Sequence, residues 1–139
     1  MTTHAKPLPR PTIETESFWR GAREHRLLIQ RCTVCETHIF YPRSLCPECS
    51  RTGLEWVQAN GQGTIYSYTV VRRAALPCFA GDVPYVFAIV ELEEGPRMAT
   101  NIVGCRPEEV RIGLPVTVSF DDVTPEVTLV KFQLVRNTG

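Results

Sequence analysis

The chain has 139 residues, enough for one compact domain with a small appended module, and its 43% hydrophobic and 22% charged content is typical of a globular protein. Fifteen basic residues balance fifteen acidic ones, which argues against a protein built chiefly to bind nucleic acid or an anionic membrane. No run approaches the roughly 18 apolar residues of a membrane span, and the N-terminus lacks a signal core. We therefore expect a cytoplasmic protein with reduced cysteines and no membrane partner.

The first 30 residues predict an extended arm and an N-terminal helix. Prolines at positions 7, 9 and 11 oppose helix formation over residues 1–12. A helix is expected from Ile13 to Glu24, capped by Thr12 or Thr15, with acidic residues in its first turn and arginines towards its end. Two roles stay open for Trp19 on this helix: packing onto the rest of the protein, or stacking on a ligand.

Residues 31–53 contain two Cys-x-x-Cys pairs separated by ten residues, which we interpret as a zinc ribbon. Each pair lets the backbone wrap one ion, and two pairs supply four thiolates for a tetrahedral site. The predicted ligands are Cys32, Cys35, Cys46 and Cys49. Such a closed site leaves no position for substrate, so structural zinc is expected, with iron as the alternative.

From Gly61 onward the sequence has five short β-rich runs separated by turn residues. They are GTIYSYTVVRR, PYVFAIVEL, RMATNIVG, PVTVSF and VTLVKFQLV. Five strands at this spacing predict a small antiparallel barrel, for which the OB-fold is the natural candidate. The expected fold is thus mainly β: an N-terminal helix and a rubredoxin-like zinc ribbon, followed by a five-stranded OB-fold over residues 54–139.

The combined order of motifs resembles the zinc-ribbon/OB-fold acyl-CoA-associated proteins that carry the domain of unknown function 35. The similar segments are FWRGAREHRLLIQRCTVCETHIFYPRSLCPECS, LEWVQANGQGTIYSYTVV, VPYVFAIVELEEGPRMATNIVG and VRIGLPVTVSF…KFQLV, and together they span roughly residues 17–135. Two departures stand out. Glu36 and Ser50 occupy positions after the knuckle cysteines where the family often has Gly, and His25 stands where the helix exit often has Gly.

The resemblance implies an accessory subunit, non-catalytic or co-catalytic, of a thiolase-like or lipid-transfer-type enzyme, in a hetero-oligomer that acts on coenzyme A thioesters and whose acyl-CoA site this chain completes. Carbon–carbon bond cleavage or formation is the implied chemistry, with retro-aldol cleavage in steroid side-chain degradation as one candidate and thiolysis or acyl transfer as others. No catalytic residue is predicted in this chain: no histidine follows His38, so neither Cys78 nor Cys105 has a base in the barrel portion.

The loop RRAALPCFAGDVP is unusually apolar for a connection between strands. It either folds over its own barrel end or meets a partner or an acyl chain, in which case Leu76 and Phe79 would make the contacts. Arg72 and Arg73 before it, and Arg43 in the ribbon, are candidates for coenzyme A phosphates.

A nucleic-acid-binding module is the alternative function, because both ribbons and OB-folds serve that purpose. Tyr66, Tyr68, Tyr85 and Phe87 would be its stacking platforms, although their alternating positions are also those of a barrel core. The barrel half carries more carboxylates than cations, which disfavours an electropositive groove.

Overall fold

A computed structural model describes residues 7–74 and 76–135 of the chain. It contains one α-helix, α1 (Glu16–Arg23), two single-turn 3-10 helices (Pro77–Phe79 and Pro107–Glu109), and eight strands: β1 (Leu28–Cys32), β2 (His38–Ile39), β3 (Leu54–Gln58), β4 (Gln62–Val71), β5 (Tyr85–Leu92), β6 (Arg97–Val103), β7 (Pro115–Asp122) and β8 (Thr128–Leu134). Residues 1–6 of the predicted arm, Ala75 of the apolar loop and residues 136–139 lie outside the described residues. Within the described ranges, no helix has the length and apolarity that crossing a bilayer requires.

Helix α1 is shorter than predicted because its first turn, from Thr12, is irregular. Thr12 and Thr15 bond reciprocally: each backbone N–H donates to the other's Oγ1, at 2.8 and 3.2 Å. This pairing follows the logic of a capping box, in which two otherwise unpaired N–H groups are satisfied together. It fixes where the chain enters the helix.

The C-terminal end of α1 is closed by a left-handed residue, His25, at φ 59°. The N–H groups of His25 and Arg26 donate back to Ala22 and Gly21 (2.9 and 2.8 Å), which is the Schellman pattern. The ring of His25 stacks on Phe120 of β7, with centroids 5.0 Å apart. The helix end is therefore fastened directly to the barrel.

The ribbon is a three-stranded sheet in the order β2-β1-β3. Five residue pairs join β1 to β3, from Leu28 opposite Gln58 to Cys32 opposite Leu54. Strand β3 was not foreseen, because LEWVQ lies between the cysteines and the clearer β-rich runs. The predicted boundary at residue 54 falls at the first residue of β3, which pairs with the ribbon.

The predicted five-stranded barrel is confirmed: β4 to β8 close in the order β4-β5-β6-β8-β7. It is not antiparallel throughout as expected, because β6 and β8 pair in parallel. Each of the five β-rich runs corresponds to one of these strands, and β4 and β7 extend one and two residues beyond their runs. Gly63 of β4 stands where a Cβ would lie 2.6 Å from the carbonyl oxygen of Glu91, so the close approach of β4 and β5 requires Gly there. A bulge between Ile65 and Ser67 shifts the register of this pair.

One apolar core joins the helix, the ribbon and the barrel. Buried Phe18 of α1 and Ile29 of β1 belong to the same cluster as Ile65, Val86 and Phe132 of the barrel. A second, smaller cluster surrounds the cysteines. Because the main core crosses the ribbon–barrel junction, burial of apolar surface holds the ribbon against the barrel.

The barrel closes through its shortest strand pairing, between β6 and β8. These parallel strands pair only at Ile102 with Phe132 and at Val103 with Gln133. Nearer the start of β6 the two strands are bridged instead by a side chain, the Thr100 hydroxyl, which donates to the carbonyl of Val130 at 3.0 Å. This seam lies beside α1 and the ribbon turn, and it shapes the site described next.

Candidate functional site

The four cysteines of the ribbon converge, with all their Sγ atoms within 4.8 Å of one another. Sγ of Cys32 lies 3.6 Å from that of Cys49, and Sγ of Cys35 lies 3.5 Å from that of Cys46. These separations are far longer than a disulfide bond of about 2.05 Å. They approach the edge of about 3.8 Å in a tetrahedron whose Zn–S distances are about 2.3 Å.

The two cysteine knuckles have the same backbone geometry, although their sequences differ. The N–H of Glu36 donates to the carbonyl of Cys32 (2.9 Å), and that of Ser50 donates to the carbonyl of Cys46 (2.8 Å). Glu36 and Ser50 both have positive φ values, 64° and 60°. The knuckles thus hold the left-handed conformation without the Gly that favours it, at some cost in strain.

The pKa values of individual cysteine thiols are shifted in opposite directions by their surroundings. Hydrogen bonds with the side chain and backbone of Thr37 lower the pKa of Cys35 to about 6. Backbone hydrogen bonds also lower the pKa of Cys32. Against the lowering effect of a backbone bond with Arg51, burial and the neighbouring thiols raise the pKa of Cys49 to about 11.

Four thiolates this close repel one another unless a cation neutralises them, and a divalent metal does so. The donor set therefore fits zinc, which the cysteines at positions 32, 35, 46 and 49 would hold in a closed shell. A bound ion there supplies folding energy, on the order of 10–16 kcal/mol in zinc-finger peptides. With all four positions filled, its role is structural rather than chemical.

A concave apolar region, which we call the groove, lies outside the barrel where α1 and the ribbon turn meet the β6–β8 seam. Its first part is a cavity of about 340 Å³ walled largely by aromatic and aliphatic side chains. These include Phe18, Trp19, Phe40, Tyr41, Phe87, Met98 and Leu129. The ring centroids of Phe18 and Phe40 are 5.3 Å apart, so side chains of the helix and of the ribbon together form one wall of this cavity.

The second part of the groove is an adjoining cavity of about 470 Å³ at the β4–β5 loop. Phe79 and Asp82 of that loop, and Tyr85 at the start of β5, line it. The two cavities share four lining residues: Phe87, Asn101, Leu129 and Lys131. The groove therefore runs from the helix and ribbon, across the outer face of β5, β6 and β8, to the loop.

The polar groups on the groove floor already have partners. The amide of Asn101 donates to the carbonyl of Val86 at 3.0 Å, and Thr100 bonds to Val130 as described. Lys131 pairs with Asp121 at 2.8 Å, and its side chain is 24% exposed. An occupant of the groove therefore meets mostly apolar walls and few unsatisfied polar groups.

Trp19 and Phe79, two of the residues singled out from sequence, line the groove, one in each part. Arg43 lines neither cavity but follows Pro42, which lines the first one, and the buried side chain of Gln30 accepts from its backbone N–H (2.7 Å) and donates to its carbonyl (2.9 Å). Arg72, Arg73 and Leu76 are exposed at the loop end and line neither cavity.

Sequence reasoning missed Tyr41 and Lys131 and did not assign Phe87 to this groove. The run IFYP in the ribbon was the signal for Tyr41, since a ribbon turn held by metal has no need of two adjacent aromatic side chains. For Phe87 the sequence left two positions open, an exposed stacking platform and an alternating core position. The structure buries Val86 and Ala88, and Phe87 points outward with 43% of its surface exposed.

A core position is likewise ruled out for Tyr66, which is 49% exposed. The adjacent bulge interrupts the alternation of β4. The guanidinium of Arg97 lies 3.7 Å above the Tyr66 ring, so that face is covered rather than open for stacking with a base.

Two family models match consecutive parts of the chain. The model described as the rubredoxin-like zinc ribbon domain of ChsH2 matches residues 19–55, and that of the C-terminal OB-fold domain of ChsH2 matches residues 56–121. A structure titled "Ltp2-ChsH2(DUF35) aldolase" has a chain 38% identical to this one, with a TM-score of 0.82 and coverage of 91% of this chain and 98% of that one.

Two further relatives are similar to this chain in sequence. A DUF35 domain-containing scaffold protein of Methanocaldococcus jannaschii is 44% identical over 104 residues, 73% of each chain. A probable enoyl-CoA hydratase alpha subunit of Thermomonospora curvata is 42% identical over 127 residues, 90% of this chain. The chain spans only 39% of that relative's length.

Proposed function

Because this chain belongs to the DUF35 family of zinc-ribbon and OB-fold proteins, we propose that it is a partner subunit of an enzyme that acts on acyl-CoA thioesters. Its relatives support this: one is named as an alpha subunit of an enoyl-CoA hydratase, and another occurs in a structure titled as an aldolase. Both names describe an assembly or a subunit rather than a free-standing domain.

The observation that carries the proposal is the groove itself. It is concave and apolar, and it lies on an outer face bounded by half-exposed Tyr41 (54%) and Phe87 (43%). Exposed apolar surface of this kind marks binding sites. The described lining residues include no Cys, Ser or His, so the nucleophile and base of thioester chemistry would be supplied by the partner.

We further propose that the partner is a thiolase-like or lipid-transfer-type enzyme, and that the complex makes or breaks a carbon–carbon bond. Retro-aldol cleavage of a steroid side chain is the specific candidate, and thiolysis or acyl transfer are the alternatives. The zinc ribbon would act structurally, by holding the aromatic segment Phe40–Tyr41 against α1.

The exposed arginines extend this proposal to coenzyme A. Arg43 lies at the ribbon end of the groove, and Arg72 and Arg73 lie at the loop end. Their guanidinium groups form no ion pair with a carboxylate among residues 7–74 and 76–135. Unpaired guanidiniums suit phosphate groups, so we assign these arginines to coenzyme A phosphates and Leu76 to partner contact.

The test begins with an affinity pull-down of the tagged chain from its native lysate, with mass spectrometry of the proteins recovered. A thiolase-like protein recovered in near-stoichiometric amount is then purified alone. Cleavage, thiolysis and acyl transfer are assayed with the chain, with the partner and with the mixture. Activity of the mixture well above either half is the expected result.

Full activity of the isolated partner would contradict the proposal. Leu76→Asp should weaken association, because it places a charge on an apolar contact. Ile112→Asp is the matched control, since Ile112 is an exposed apolar residue (68%) that lines none of the cavities described. Equal effects of the two substitutions would remove Leu76 from the interface.

A further inference from the structure

We propose that the groove of this chain holds the apolar acyl group of the thioester, so that the subunit contributes part of the substrate site itself. This inference rests on the proposed function, because it takes acyl-CoA as the substrate of the complex. It goes further by assigning the acyl group, rather than only the coenzyme A portion or the partner's surface, to this chain.

Size and lining are the first argument. Ligand pockets are typically clefts of about 300–1,000 Å³ with mainly apolar walls and a few polar groups. The adjoining cavities, of about 340 and 470 Å³, fall in this range separately and overlap at Phe87 and Leu129. A long acyl chain or a fused-ring acyl group therefore has room to lie along both.

Hydrogen bonding is the second argument, and it disfavours an added β-strand as the occupant. A strand would need free backbone groups along the seam. The hydroxyl of Thr100 instead bonds directly to the carbonyl of Val130 at 3.0 Å across the seam. The Thr100 hydroxyl and the Asn101 amide N–H on the groove floor are thus already hydrogen-bonded within the protein, and the surface around them is mainly apolar, which suits a hydrocarbon.

Charge is the third argument. The groove walls are mostly apolar, with Asn101, Lys131 and Asp82 among the polar lining residues, while exposed arginines lie beyond its ends, Arg43 at the ribbon and Arg72 and Arg73 at the loop. None of them pairs with a carboxylate in the described part of the chain. An acyl-CoA has an apolar body and one polyanionic headgroup, so the arginines at one end of the groove or the other would face that headgroup.

Contact quenching of Trp19 fluorescence tests the assignment. The chain has two tryptophans, so Trp56→Phe leaves Trp19, in the first cavity, as the only reporter. The full chain, alone and with saturating partner, is titrated with ω-bromododecanoyl-CoA, dodecanoyl-CoA and coenzyme A. We expect saturable quenching that depends on bromine, because a heavy atom quenches only a ring that it touches.

Two substitutions localise the signal. Ala99→Phe adds a ring to the groove from the outward face of β6 and should lower the affinity for ω-bromododecanoyl-CoA at least tenfold. Thr64→Phe is the matched control, an exposed position of β4 outside both cavities, and should leave binding unchanged. Phe87→Ala, which removes a ring shared by both cavities, should weaken binding several-fold and serves if Ala99→Phe does not fold.

Three results would overturn the inference. They are the absence of bromine-dependent quenching with and without partner, quenching that survives Ala99→Phe, and loss of partner association rather than ligand binding in Ala99→Phe. The last would make the groove a protein interface. The proposed function is judged separately by whether the partner's activity depends on this chain, so either idea can fail without the other.

Discussion

The close approach of β4 and β5 at Gly63 gives the sharpest stability prediction. A Cβ at this position would lie 2.6 Å from the carbonyl oxygen of Glu91 and 2.8 Å from Cγ1 of Val90. Backbone atoms on the neighbouring strand cannot yield without breaking the pairing of Gly63 with Leu92. Overpacking of this kind typically costs about 1–3 kcal/mol, and we place Gly63→Ala near the upper end.

An opposing effect reduces the loss. Replacing Gly by Ala lowers the entropy of the unfolded chain, which stabilises the fold by about 0.4–1 kcal/mol. The net loss expected for Gly63→Ala is about 2 kcal/mol. For a chain of 139 residues, with an unfolding entropy of about 2.1 cal/mol/K per residue, this lowers Tm by about 7 °C.

Gly81→Ala is the matched control, because a Cβ at Gly81 would meet nothing within 4 Å and its φ is not positive. Only the unfolded-state effect then remains, so Tm should rise by about 1–3 °C. Both variants are measured by thermal unfolding followed by circular dichroism, at equal zinc content. A Gly63→Ala protein as stable as the parent would refute the steric reasoning.

Three further predictions concern the ribbon and its junction with the barrel. Ser50→Gly should relieve a left-handed residue and raise the free energy of unfolding by about 0.5–1 kcal/mol; Glu36→Gly should gain less, because it also removes the 3.0 Å ion pair with Arg31, and denaturant titration showing the opposite order would contradict this. Hydrogen bonds from Thr128 and with His25 hold the pKa of Asp122 below its ordinary value of 3.8. The stabilisation that Asp122 contributes is therefore present above that pH and is lost as pH falls through the folded pKa. Tm of the parent should fall more steeply below about pH 4 than Tm of Asp122→Asn, and parallel curves of Tm against pH would exclude this contribution. Cys46→Ser should lose zinc and unfold the ribbon, as measured by metal analysis and by proteolysis within residues 31–53; retention of the parent's zinc content would contradict a four-thiolate site.

The sequence by itself determined the elements whose signals are local. Two Cys-x-x-Cys pairs predict a metal knuckle at each pair, because only two residues separate the thiols that must reach one ion. The five β-rich runs likewise predicted five strands, because each is bounded by its own turn residues. The predicted helix is a few residues longer than α1, because the way Thr12 and Thr15 cap it depends on the actual path of the chain.

Only the tertiary structure decided which surfaces meet. Strand β3 belongs to the ribbon sheet because it pairs with β1. No local sequence pattern specifies that pairing, since β1 lies more than twenty residues earlier in the chain. His25 meets Asp122, 97 residues later, at 2.9 Å. Phe87 faces outward because burial follows the register of β5 against β6. The groove exists because that register, the short pairing of β6 with β8 and the packing of α1 against the ribbon bring distant residues together, and these are properties of the folded chain as a whole.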